Sequence, residues 1–208
     1  NQIVATFVGE GNLVVACMLP EREGVVWPDA QQVKDMLASV AAENIEPYVD
    51  AVSNEPLIPE MPKAGKVKKA GKAAFGYEKY TLSNGATVYF RHTDFNKDEI
   101  LMNAFSYGGS SQYSEQEAPV LKALSGLMTI GGVGNFNSTE LIKALSGKKV
   151  EVSPYVSFYK EGISANSTPK DLETMFQLTY LYFTALREDQ DAFTSWKTRQ
   201  SAAIANRQ

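Results

Sequence analysis

Histidine and cysteine each occur once in the 208 residues, as His92 and Cys17. That scarcity removes whole classes of chemistry. A zinc site built on two histidines cannot form within the chain, and neither can an internal disulfide, since each needs a second copy of a residue present once. No run of about 18 apolar residues occurs, so the sequence offers no spanning helix. Residues Asn1 to Glu10 lack the basic start and apolar stretch of a secretory leader. Positive charge is not in excess either, because 24 acidic side chains against 20 basic ones leave a net charge of −4. That balance argues against a global nucleic-acid partner, whose phosphates call for a basic face. What is present is 44% hydrophobic, 11% aromatic and 21% charged residues. This is the composition of an ordinary folded protein, with length for one or two domains.

Along the chain, Ile3 to Val8 and Leu13 to Leu19 flank Gly9-Glu10-Gly11-Asn12 and predict a hairpin, with Cys17 as a small core residue inside its second strand. Asp29 and Gln32 form a capping box for a helix whose buried face is Val33, Met36, Leu37, Val40 and Ala41. Two strands and one helix bury little apolar surface, so residues 1–45 read as the tail of a preceding domain. Residues 46–76 are broken by Pro47, Pro56, Pro59, Pro62, Gly65 and Gly71 and charged by Lys63, Lys66, Lys68, Lys69 and Lys72, the composition of a solvated linker. A nucleic-acid or anionic-membrane patch is the alternative for these lysines. It is disfavoured because no aromatic residue interleaves between Lys63 and Lys72.

Residues 77–208 read as the start of a second α+β domain, incomplete at its C-terminal end. Tyr77 to Leu82 and Ala86 to Arg91 flank the turn dipeptide Asn84-Gly85, and Ile100 to Tyr107 is a third strand stopped by Gly108-Gly109. Ser114 and Glu117 cap a helix carrying Val120, Leu121, Leu124, Leu127 and Met128, and Ser138 opens a short helix closed by Gly147. Lys149 to Phe158 and Gly162 to Asn166 predict an antiparallel pair. Thr168 starts a helix with Leu172, Met175, Phe176, Thr179, Tyr180 and Phe183 on one side, and Asp191 to Gln208 is a last amphipathic segment. The class expected is α+β, an antiparallel sheet with helices packed on a face.

Residue chemistry alone points to no catalytic site. His92 at a strand end is read as a surface residue, since no nucleophile elbow accompanies it. Gly131-Gly132-Val133-Gly134 follows a helix, whereas phosphate loops follow a strand and open a helix, so it is read as a flexible loop. Glu115 and Glu117 are explained by the first turn of their helix. Tyr155, Phe158, Tyr159, Phe176, Tyr180, Tyr182 and Phe183 are read as core, with a peptide groove as the alternative.

Tyr80 to Tyr89, carrying Leu82, Asn84, Gly85 and Val88, followed by Gly108-Gly109-Ser110 and then a capped apolar helix, resembles the opening of a repeat in the pitrilysin/insulinase family of zinc peptidases. In that family the helix bears the inverted zinc motif H-x-x-E-H. Here Lys122, Ser125 and Gly126 stand where the first histidine, the glutamate and the second histidine would be. Lysine and glycine cannot replace imidazole ligands, nor serine the carboxylate that activates zinc-bound water. The resemblance therefore implies a zinc-less second half, preceded by the end of the first half and the inter-half linker, with no catalytic, cofactor or metal residue in this chain. Zinc and the general base would belong to the absent first half of the parent protein, and this segment would supply chamber wall and contacts to a peptide or unfolded polypeptide. The resemblance also leans toward a bacterial periplasm or cell envelope. A non-catalytic scaffold of the same fold family is the alternative, and an unrelated α+β domain sharing a common hairpin signal is a third.

Overall fold

In the computed structural model the described residues are 14–18, 24, 26–44, 46 and 55–207. The chain divides into two compact units, Asn1–Asp50 and Ala51–Gln208. In the first unit, helix α1 (Ala30–Ala42) begins at the expected capping box. Asp29 Oδ1 accepts from the amides of Gln31 and Gln32, each at 2.8 Å. The Asp29 amide donates in turn to Gln32 Oε1 at 2.9 Å. The apolar face of α1 is largely uncovered by the described residues, with Met36, Leu37 and Val40 exposed and Val33 half-buried. The expected first hairpin lies outside the described residues except for 14–18, which form no regular structure. Cys17 is exposed there, a correction to the core position expected, because no strand among the described residues forms around it to bury it.

The second unit opens with a three-stranded antiparallel sheet in the order β1 (Val67–Lys72), β2 (Glu78–Leu82), β3 (Thr87–Phe90). The hairpin from β2 to β3 sits where Asn84-Gly85 places it, but its loop has three residues. Leu82 N–H donates to Ala86 O at 2.8 Å, Gly85 takes φ +90°, and Asn84 Oδ1 accepts from the Ala86 amide at 3.0 Å. Glycine alone supplies the left-handed residue, and Asn84 acts through its side chain instead. Strand β1 replaces part of the solvated linker expected over 46–76. Its side chains are all exposed, so no alternation of apolar residues announces it, and backbone pairing to β2 holds it. It reaches β2 through a turn in which Phe75 (φ 59°, ψ 27°) and Gly76 (φ 76°) are both left-handed and Tyr77 N–H donates to Ala74 O at 3.3 Å. Earlier in the same stretch Ile58 is buried, at 7% exposure, and joins the core.

A second antiparallel sheet has the order β4 (Ile100–Tyr107), β6 (Lys160–Ser167), β5 (Val150–Val156). Between β4 and β5 lie helices α2 (Ala118–Ile130) and α3 (Ser138–Ala144), and after β6 come α4 (Leu172–Thr184) and α5 (Gln190–Ala205). The α+β class expected is therefore observed, with the strands shared between two sheets rather than one. Period-two alternation sets the faces of the second sheet: Val152, Pro154, Ile163 and Ala165 point inward and are buried, while Glu151, Ser153 and Ser164 are exposed. Met175, Leu178 and Leu181 of α4 complete the core. Pro154 is tolerated because β5 is an edge strand.

Two expectations change here. Phe176, Tyr180 and Phe183 are exposed, and the buried stripe of α4 is Thr174, Met175, Leu178 and Leu181, which keeps Met175 of the expected face and is otherwise turned away from it. Helix α2 begins at Ala118, after a turn over 115–117, so Glu115 and Glu117 precede its first turn. Glu117 receives the Ser114 amide at 3.1 Å and hydroxyl at 2.7 Å, and these bonds, the hydroxyl first, hold its carboxyl below the usual range.

Candidate functional site

The end of β4 and the turn between β5 and β6 are joined backbone to backbone. Gly108 N–H donates to Tyr159 O at 2.9 Å, Ser110 N–H to Ser157 O at 2.9 Å, and Ser111 N–H to Phe158 O at 2.8 Å. Gly109 takes φ +57° at this seam, and a Cβ there would collide with the carbonyl oxygen of Ser157. Only glycine meets both conditions. Glu161 organises the seam from below. Its carboxylate accepts the Ser106 hydroxyl at 2.6 Å and the Gly109 amide, and these bonds, the hydroxyl first, lower its pKa. No sequence motif singles out Glu161. The available signal was an acid on the inward face of β6, in line with Ile163 and Ala165, where it breaks the alternation.

Helix α2 packs along β5 and carries the three residues at the motif positions. Ser125 Oγ accepts the Val156 amide at 2.9 Å, satisfying a donor on the side of the edge strand where Pro154 has none. Gly126 is exposed, and an added Cβ there would meet nothing within 4 Å. The zinc implied by the family resemblance does not fit this helix: one oxygen is committed to the backbone, one position has no side chain, and among the described residues no cluster of three His, Cys, Asp or Glu side chains could hold a metal ion. A groove of about 460 Å³ beside the helix is lined by Leu127, Ile130, Arg187, Glu188, Asp189 and Phe193, again without imidazole or thiol.

The remaining candidates disperse. His92 is exposed just past β3, far along the chain from α2. The Gly131 to Gly134 stretch is the reverse of a flexible loop: Val133 is 0% exposed and pairs with Phe136 and Leu186, and a Cβ on Gly131 or Gly132 would strike the carbonyl of Arg187 or Phe136. Glycine serves close packing there. The aromatic group is also corrected, because Phe158, Tyr159, Phe176, Tyr180 and Phe183 are exposed rather than core. Phe158 and Tyr159 meet edge to face at 4.6 Å on the β5–β6 turn. Lys160 Nζ stands 4.3 Å from the Phe105 ring on the outward face of the sheet, a cation over a ring face.

Hairpin, glycine-ended strand, helix α2 and β5–β6 pair, in this order, give the chain the fold of pitrilysin/insulinase-type zinc proteases, to which it is similar in sequence as well. The particular relatives are the PqqL proteases. The chain is 28% identical over 141 residues to a zinc protease PQQL-like protein of Arabidopsis thaliana, covering 67% of this chain and 12% of that one. It is 23% identical over 99 residues to the probable zinc protease PqqL of Haemophilus influenzae, covering 48% and 11%. Among solved structures, the periplasmic protease PqqL of Escherichia coli superposes with a TM-score of 0.65 at 22% identity, over 86% of this chain and 20% of that one. The ferredoxin protease FusC, solved as a point mutant in complex with Arabidopsis ferredoxin, gives 0.57 at 20% identity, over 80% and 19%. The chain thus spans about an eighth of its sequence relatives' length and a fifth of those structures. No family model matches it. Among the described residues no helix is long and apolar enough to cross a membrane.

Proposed function

We propose that this chain is a non-catalytic segment of a zinc-dependent peptidase acting on peptides or unfolded polypeptides, in which the metal and its general base are supplied by other parts of the protein. The observation that carries this reading is helix α2, whose motif positions are occupied by a serine bonded to the sheet and a glycine with no side chain. The segment contributes wall and substrate contacts. Leu101, Phe105 and Tyr107 on the outward face of β4, all exposed, support that role, since rings left in water on a sheet face gain by covering. Enclosure of an extended substrate by such walls orients the scissile bond against the catalytic groups. The protein would work where its periplasmic relative does.

The test is to incubate the purified chain, with zinc added, with a reduced and alkylated unfolded protein and with the same protein folded. The expected result is binding of the unfolded form, weaker binding of the folded form, and no hydrolysis of either. Hydrolysis that a chelator abolishes would overturn the non-catalytic assignment, and failure to bind the unfolded form would overturn the substrate-contact role.

A further inference from the structure

We propose that one face of the β1–β2–β3 sheet is a docking surface selective for acidic stretches of polypeptide, an inference that rests on the polypeptide-binding role above. Residues 63–92 hold six lysines and Arg91 against the single acid Glu78, a charge of +6 inside a chain whose total is −4. Strand register places two of these lysines, Lys69 and Lys79, on one face. Lys69, Thr81 and Thr87 form one cross-strand row and Gly71, Lys79 and Tyr89 the next, on the same face. All but Thr81 are exposed. Gly71 faces open space, since a Cβ there would meet nothing within 4 Å. Lys79 Nζ lies 5.5 Å from the centroid of the Tyr89 ring, whereas Lys72 of β1 falls on the opposite face, across from Glu78. Among the described residues no carboxylate is paired with Lys69 or Lys79.

Protection of an open edge against aggregation accounts for lysines on β1, which is an edge strand. It does not account for Lys79, which lies on the central strand β2. Uncompensated cations gathered on one open face raise the local potential and draw in carboxylates. An extended peptide sends alternate side chains to one side, so a run of Asp or Glu presents a row of carboxylates to Lys69 and Lys79 while an apolar neighbour covers Tyr89. Nucleic acid fits less well. Lysines offer point charges where phosphate recognition favours the guanidinium fork, and Tyr89 is the one aromatic ring in the two rows, too little for successive bases to stack upon.

The full chain is titrated at low salt, by fluorescence anisotropy, against three labelled probes of equal length: an unstructured Glu/Ser peptide, a Gln/Ser peptide and oligothymidylate. The Glu/Ser peptide is expected to bind at least about tenfold more tightly than the Gln/Ser peptide. Lys69→Glu with Lys79→Glu should abolish that preference, and Lys69→Gln with Lys79→Gln should reduce it. The equally charged pair Lys197→Glu and Arg199→Glu, both exposed on α5, should leave it unchanged. Equal loss in the α5 pair would reduce the effect to net charge and overturn the surface, and tighter binding of oligothymidylate would overturn it in favour of nucleic acid. If both peptides bind alike, the acidic selectivity falls and the polypeptide-binding role stands. If neither binds, both fall.

Discussion

The two sheets of the second unit are built on opposite plans. β4–β6–β5 is covered on its inner face by helices, and the seams of that layer are so close that Gly109, Gly131 and Gly132 admit no side chain. β1–β2–β3 has no buried residue, carries its charge outward, and leaves Gly71 in open space. Stability and recognition are thereby separated. Removal of apolar surface from water is concentrated in the helix-covered layer, whereas the open sheet is held by its ladder and turns and is free to meet a partner.

Glycine substitutions should show the contrast at its largest. Gly132→Ala adds a methyl against the Phe136 carbonyl at a residue with φ +84°. It should cost roughly 3 kcal/mol or more in urea unfolding. Gly71→Ala, by contrast, should stay within about 0.5 kcal/mol. Met175 is 1% exposed in the core. Met175→Ala should cost about 2–5 kcal/mol, depending on how far the cavity collapses. Equal sensitivity of the two sheets would show the division to be wrong.

A smaller effect depends on pH. Asp171 is buried beside the start of β5, where its carboxylate accepts the Lys149 amide at 3.0 Å and the Thr168 hydroxyl at 2.9 Å, and these bonds, the amide first, lower its pKa. A lowered folded value means that the unfolded chain binds the proton more readily. The stabilisation is therefore complete above the ordinary aspartate range and is lost as pH falls through the depressed value. Melting temperatures followed downward in pH should drop there, and Asp171→Asn should flatten that part of the curve. At the small end, Phe75 is 86% exposed in a left-handed conformation. Phe75→Asn should raise stability by about 1 kcal/mol by relieving that strain, with little burial lost.

Legibility in the sequence cut across that division, since the β2–β3 hairpin of the open sheet was also readable from Asn84-Gly85. In the helix-covered layer β4 was readable to the residue, because Gly108-Gly109 ends it, and the β5–β6 pair and α4 were readable from their patterns and from Thr168. The glycines of 131–134 were located but misread, since a glycine needed for close approach and one needed for looseness look alike until a carbonyl is found against it. In the open sheet β1 was missed: a strand with no buried face has no periodicity to show, and its turn uses Phe75-Gly76 in place of an asparagine or aspartate signal. The aromatic residues were placed in a core because burial is their usual fate, and only the packing reveals that α4 turns Phe176 and Phe183 outward. At the helix of the zinc motif, the letters Lys122, Ser125 and Gly126 said what could not be done there. The bond from Val156 to Ser125 adds what is done instead.

Zinc content is the most direct measurement. The purified chain is dialysed against zinc and then against metal-free buffer, and bound metal is measured per chain by atomic emission. A helix that has lost its ligands should leave no zinc above the buffer blank, and Ser125→Ala should give the same result. Stoichiometric zinc in the wild-type chain would contradict the non-catalytic reading of α2.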